Sequence, residues 1–143
     1  MNDLYELQRF LDAQDPIYGD VLAELRAGSK QSHWMWFIFP QIKGLGRSPT
    51  AIRFAIGSRQ EAEAYARHPA LGARLRECTE LVNAVVGRSA SQIFGYPDDL
   101  KFHSSMTLFA ETAASPSVFR EALEKYFAGK PDDQTIATLG KGR

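Results

Sequence analysis

Hydrophobic residues recur every three or four positions along most of the chain, which is the spacing of amphipathic α-helices. The clearest stripe predicts the longest helix, from Pro69 to Gly87, with apolar positions at Leu71, Leu75, Cys78, Leu81, Val82, Val85 and Val86. A second stripe, between Val118 and Phe127, predicts a helix that ends at Gly129. Because the loops between such stripes are short, we expect an all-α fold. The prediction is a single compact multihelical domain of short amphipathic helices over residues 1–143.

Helix start signals divide the rest of the chain. An Asp or Ser followed by proline is typical of an N-cap and the first helical residue, and it occurs at 15–16, 48–49 and 115–116. Ser58 and Glu61 fit a capping box, and Asp3 is placed to cap the first helix. A last short helix or turn is expected after Asp133.

The aromatic run from Trp34 to Phe39 has two interpretations. By propensity alone this continuous apolar segment could be a buried strand. No other segment alternates clearly enough to pair with it, so a buried helix ended by Pro40 is favoured. Both alternatives stay open for residues 32–41 at this stage.

Composition and charge exclude several classes of protein. The 143 residues include 17 basic and 17 acidic side chains, so the formal net charge is zero. This balance excludes a strongly basic nucleic-acid-binding protein, and we do not expect a nucleic-acid partner. The single cysteine, Cys78, cannot form an internal disulfide. Without a signal-peptide pattern or an apolar run of about 20 residues, we expect a cytoplasmic protein that does not enter a membrane.

The charge is unevenly distributed, and the segment 31–60 is the first candidate site. It contains no Asp or Glu but four basic residues, Lys43, Arg47, Arg53 and Arg59. Within it, Gly44 and Gly46 allow a tight turn, and Ser48 caps a helix whose free N–H groups favour an anion. A phosphate or carboxylate would fit there. The alternative is a glycine turn between two helices with solvated basic side chains.

The segment 98–109 is the second candidate. On a helix, Asp98, Lys101 and Ser105 share one face. The positions Phe102, Met106 and Phe109 share another face, which we interpret as core. A charged pair and a hydroxyl beside an apolar face could line a cleft. The alternative is a surface ion pair between Asp98 and Lys101 that adds little stability.

A third candidate surrounds His33 and Trp36, which share a helical face. His33 could transfer protons, and Trp36 could stack against a planar ligand. The alternative is that the aromatics are core and His33 bonds to backbone. The three histidines lack metal-ligand spacing and no nucleotide-binding glycine motif is present, so neither a metal nor a cofactor is predicted.

Three of these segments together carry a family resemblance: Ser32 to Gln41, Gly44 to Ser48, and Asp98 to Phe109. With 7–18 and 93–97, they resemble the bacterial domain-of-unknown-function family numbered eighteen-ten. The resemblance implies a single, mainly helical domain and no established activity. Some members carry the label calpastatin, but calpain inhibitors of that name are disordered repeat proteins, and this chain has no repeats.

The resemblance includes polar positions as well as packing positions, and it therefore favours one shared site. Our leading hypothesis is a small-molecule site for an anionic, phosphate-bearing ligand, with the tentative catalytic pair His33 and Lys101. Its ligand-binding residues would be Trp36, Gln41, Gly44, Gly46, Arg47, Ser48, Asp98, Ser104 and Ser105. The alternative is a non-catalytic protein-interaction module that uses the aromatic segment. A nucleic-acid contact through the segment 31–60 is a weaker option, and the sequence predicts no oligomeric state.

Overall fold

In a computed structural model of the chain, which describes residues 3–141, ten α-helices follow one another without an intervening sheet. Their bounds are α1 Gln8–Gln14, α2 Tyr18–Arg26, α3 Met35–Ile38, α4 Pro49–Arg53, α5 Arg59–Arg67, α6 Leu71–Ala84, α7 Ala90–Phe94, α8 Asp98–Thr112, α9 Ser117–Phe127 and α10 Asp133–Lys141. They surround one hydrophobic core. The predicted all-α, single-domain architecture is confirmed.

Helix α8 lies at the centre of the molecule. It packs against α3, α5, α7, α9 and α10, and it is buried almost continuously from Phe102 to Ala110. With 15 residues it is also the longest helix, one residue longer than α6. The prediction that the longest helix runs from Pro69 to Gly87 is therefore wrong. Helix α6 ends at Ala84 because Val85 adopts an extended backbone conformation.

The predicted helix starts agree with the structure to within a few residues. The Ser48 and Ser58 hydroxyls accept hydrogen bonds from the N–H groups three residues later, as N-caps do. The N-cap residue of α1 is Leu7, so the predicted N-cap position at Asp3 is wrong, although the Asp3 carboxylate accepts the N–H groups of Leu7 and Gln8. A complete capping box occurs at the start of α7, a helix that the sequence did not predict.

The aromatic segment forms the short helix α3, which agrees with the favoured interpretation. One helical turn from Met35 to Ile38 ends before Pro40. It packs against α1, α6 and α8, and Trp34 is only 1% exposed. Beyond it, Ile42 and Ile56 form an isolated parallel bridge. This bridge closes the loop that carries α4.

Cys78 on α6 is fully buried, and burial raises the pKa of its thiol to about 12. This agrees with a packing role rather than that of a nucleophile, which needs an accessible thiolate.

Within residues 3–141, none of the helices combines the length and the apolar character needed to span a bilayer.

Candidate functional site

A cavity of about 830 Å³, which we call the cleft, opens between the turn before α4, the start of α8 and the start of α10. This volume lies within the range of about 300–1,000 Å³ typical of small-molecule sites. The residues that line the cleft are Trp36, Gln41, Leu45, Gly46, Arg47, Ser48, Ala51, Pro97, Leu100, Lys101, His103, Ser104, Pro131, Asp132, Asp133 and Gln134.

The wall formed by α8 presents one ammonium group, that of Lys101, to the cleft. The Lys101 Nζ atom lies 3.2 Å from Asp98 Oδ1, and the Lys30 Nζ atom lies 2.8 Å from Asp98 Oδ2. Two ammonium groups thus share one carboxylate. Lys101 Nζ also lies 5.9 Å from the centre of the Trp36 ring, within range of a cation–π interaction. Lys101 is thus the cation of α8 that lines the cleft, and it shares its carboxylate partner with Lys30.

The glycine-containing turn 44–48 forms the opposite wall. Gly44 has φ +92°, and a Cβ atom on Gly46 would lie 2.6 Å from the Ala51 Cβ atom, so both positions require glycine. The Ser48 Oγ atom accepts the Ala51 N–H at 3.1 Å and keeps its own hydrogen to donate. Helix α4 has only five residues, so its dipole contributes little to the predicted anion site.

Arg9 of α1 fixes the end of the loop that carries α4. Its guanidinium donates hydrogen bonds to the backbone oxygens of Arg53 and Ala55, at 2.8 Å and 3.0 Å, and to the Glu61 carboxylate at 2.8 Å. The neighbouring Ile56 N–H donates to the Gln41 carbonyl at 2.8 Å. The two ends of the loop that carries α4 are therefore fixed.

The start of α10 forms the acidic wall of the cleft. Asp132 Oδ2 accepts the N–H and the hydroxyl of Thr135, at 3.1 Å and 2.6 Å, and thereby caps α10. The Ser104 Oγ atom lies 3.3 Å from the same oxygen, and the Asp132 N–H donates to Thr107 Oγ1. These contacts bind the start of α10 to α8. Since Asp133 also lines the cleft, the cleft contains charges of both signs.

His103 lies on the same wall of α8 and is firmly oriented. Its ring stacks on Phe127, with centres 4.0 Å apart and planes at 10°. Its Nε2 atom lies 2.7 Å from the Lys130 carbonyl oxygen. Because a carbonyl only accepts, Nε2 carries hydrogen, and in the neutral ring the lone pair is on Nδ1. His103 is therefore an ordered imidazole with one defined neutral tautomer.

A smaller cavity of about 210 Å³, which we call the side cavity, adjoins the cleft. The two cavities share four wall residues, Trp36, Gln41, Gly46 and Ala51. The rest of the side cavity is lined by Ile42, Lys43, Gly44, Ile52, Phe54 and Ala55. Its wall is mostly apolar, in contrast to the charged cleft.

Comparison with protein families identifies the chain. The family described as "Protein of unknown function (DUF1810)" matches residues 4–139. The chain belongs to the DUF1810 family. A search of curated proteins gives no significant match. The DUF1810 chain is similar to the crystal structure of the conserved hypothetical protein Rv1873 from Mycobacterium tuberculosis, with 54% identity and a TM-score of 0.95 over 96% of this chain and 99% of that chain.

The DUF1810 fold brings most of the predicted site residues together. The predicted residues that line the cleft are Trp36, Gln41, Gly46, Arg47, Ser48, Lys101 and Ser104. A further predicted residue, Gly44, lines the side cavity. Asp98 lies behind Lys101 as its ion-pair partner. Two predicted residues lie elsewhere. His33 is exposed outside the walls of both cavities, and Ser105 is fully buried with an unpartnered hydroxyl.

Other cleft residues of the DUF1810 chain were not predicted, chiefly His103 and Asp132. The sequence does contain a signal for Asp132, since an Asp three residues before Thr135 fits an N-cap. That signal identifies a helix start and not its distance from α8. His103 has no such signal, because its orientation depends on Phe127 and Lys130 in other parts of the fold. Among the described residues, no cluster of three or more His, Cys, Asp or Glu could hold a metal ion.

Proposed function

We propose that this protein binds, in the cleft, a small molecule that carries an anionic group such as a phosphate. The observation that carries the proposal is the shared carboxylate behind Lys101. Asp98 is paired more closely with the buried Lys30, at 2.8 Å, than with Lys101, at 3.2 Å. Lys101 can therefore turn toward a bound anion without leaving Asp98 unpaired.

The opposite wall supplies the remaining donors for the anion. Arg47 is exposed beside the cleft, and its guanidinium can bind two phosphate oxygens at once. The Ser48 hydroxyl can donate a further hydrogen bond. The acidic wall at Asp132 and Asp133 would instead accept hydrogen bonds from hydroxyl or amino groups of the same ligand. A ligand with one anionic end and one hydrogen-bond-donating part fits this distribution of charge.

The protein-interaction alternative has less support. It requires an exposed aromatic surface on the segment 34–39, but Trp34 is 1% exposed and Phe39 is fully buried. Side chains in this condition stabilise the core and cannot reach a partner surface.

Calorimetric titration tests the proposal with inorganic phosphate, ribose phosphate and adenosine monophosphate, using ribose as the neutral control. We expect saturable binding of at least one phosphate compound and none of ribose. Lys101→Ala should raise Kd about tenfold or more, because a hydrogen bond to a charged group is worth about 1.5–3 kcal/mol. A higher salt concentration should also raise the Kd of the unmodified protein, because salt screens the attraction between the phosphate and its cations.

Arg120→Ala is the matched control, because Arg120 is an exposed cation on α9 that lines neither cavity. It should bind as the unmodified protein does. The thermal midpoint of each variant without ligand checks that the fold is intact. Absence of binding by every phosphate compound, or equal Kd values for Lys101→Ala and Arg120→Ala, would overturn the proposal.

A further inference from the structure

The side cavity adds a second recognition element to the cleft. It opens off the cleft at the residues shared by both cavities, so one ligand can occupy the two spaces together. The Trp36 indole lies at this boundary, with Lys101 Nζ 5.9 Å from its ring centre. A group bound in the side cavity would therefore lie near the proposed anion site.

The size of the side cavity limits what it can hold. An apolar cavity of about 150 Å³ is large enough for benzene. A volume of about 210 Å³ therefore fits one planar ring or one small fused ring system, and excludes larger groups.

The walls of the side cavity suit a planar ring. Phe54 is nearly buried, and its ring is held against Phe10 and Phe37, with centres 5.7 Å and 5.3 Å apart. Phe54 and Trp36 supply aromatic surface, on which a heteroaromatic ring packs well. The Gln41 side-chain amide, at the boundary with the cleft, has an NH₂ group that can donate and an oxygen that can accept hydrogen bonds with polar atoms on the ring edge.

We infer, on the basis of the proposed function, that the ligand is a phosphate ester with one planar heteroaromatic ring, of the nucleoside monophosphate class. The ring occupies the side cavity against Trp36, and the phosphate binds Lys101 and Arg47. The hydroxyl groups between them face Asp132, whose carboxylate can accept their hydrogen bonds. This arrangement accounts for the apolar side cavity, the positive wall and the acidic wall with a single molecule.

A comparison of three probes separates the ring from the phosphate. Adenosine monophosphate contains both groups, ribose phosphate lacks the ring, and adenosine lacks the phosphate. We expect adenosine monophosphate to bind at least about tenfold more tightly than ribose phosphate, since stacking of one base on an aromatic side chain contributes this much or more. Cytidine monophosphate, whose single ring also fits this volume, should likewise bind more tightly than ribose phosphate.

A cavity-filling variant locates the ring. Ala55→Leu places a larger side chain in the side cavity and leaves the cleft unchanged, since Ala55 lines only the former. It should abolish the advantage of adenosine monophosphate and leave the Kd for ribose phosphate unchanged. Ala23→Leu, an equal change at an exposed position of α2, is the matched control and should change neither Kd.

The outcomes distinguish the two proposals. Equal Kd values for adenosine monophosphate and ribose phosphate, with no effect of Ala55→Leu, would overturn the ring assignment and leave the anion site in place. Binding of adenosine with no contribution from the phosphate would overturn the anion site and keep the ring site. Failure of all the probes to bind would overturn both.

Discussion

Glu24 shows how one side chain can organise the turn that leads into α3. Its carboxylate accepts the N–H groups of Gln31 and Ser32, the Ser32 hydroxyl and the Trp34 indole N–H. Partial burial raises the pKa of Glu24, but these hydrogen bonds outweigh that effect and lower the pKa to about 2. A single carboxylate on α2 therefore fixes the turn that leads into α3.

The lowered pKa of Glu24 predicts how stability changes with pH. Since the ordinary value is 4.5, the ionised carboxylate stabilises the fold fully above about pH 4.5, and this contribution is lost as the pH falls toward 2. Glu24→Gln should therefore lower the thermal midpoint at pH 7, and the difference from the unmodified protein should shrink between pH 4.5 and 2. Thermal unfolding monitored by circular dichroism at several pH values measures it. Glu80→Gln, at an exposed position of α6, is the control. A difference independent of pH would contradict the assignment.

At the scale of helices and loops, patterns confined to one segment could be predicted, and contacts between segments could not. The helices that begin after Ser48 and Ser58 could be predicted from neighbouring residues, because an N-cap acts within three residues. Helix α8 follows a different rule. It is packed against five other helices, so Ser105 and Thr107 are as deeply buried as its apolar positions, and no simple stripe marks its core face.

The same distinction explains what was predicted of the candidate site. Lys101 and the turn 44–48 could be identified because unusual charge and glycine content are visible in the sequence. Their approach to the start of α10 could not, because it depends on hydrogen bonds across more than 20 positions, in which Ser104 donates to the Asp132 carboxylate and Thr107 accepts from the Asp132 N–H. His33 and His103 show the limit clearly, since only the fold determines which histidine lines the cleft.

Arg9 provides a test at the scale of elements, because it connects α1 to the loop that carries α4. Arg9→Ala should destabilise the protein by about 2 kcal/mol or more, since hydrogen bonds from its charged guanidinium to four backbone carbonyls and to Glu61 are lost. Urea denaturation measures the change. Hydrogen exchange at the Lys43 and Ile56 N–H groups, which form the bridge, should accelerate more than exchange in α9. Arg67→Ala, at an exposed position of α5, is the control, and an equal effect of the two variants would contradict this role for Arg9.

At the scale of the whole molecule, a neutral chain separates its charges in space. The segment 31–60 has four basic residues and no acidic ones, although the whole chain is balanced. The fold brings part of this segment, at Arg47, to the same cleft as Asp132 and Asp133 from the other end of the chain. Zero net charge is therefore compatible with a cleft that has distinct positive and acidic walls. Such a cleft orients a ligand that has unlike ends.

The central position of α8 predicts that the described helices unfold as one cooperative unit. Helices α3, α5, α7, α9 and α10 pack against α8, and α3 also contacts α1 and α6, so the loss of α8 exposes core surface throughout the fold. Trp34 and Trp36 lie at α3, and their fluorescence reports on this centre, whereas circular dichroism reports on all the helices. The two signals should give the same urea midpoint and the same slope. Helix α10 packs mainly against α8, so a second unit would be detected there first, as a loss of helical signal before the fluorescence changes.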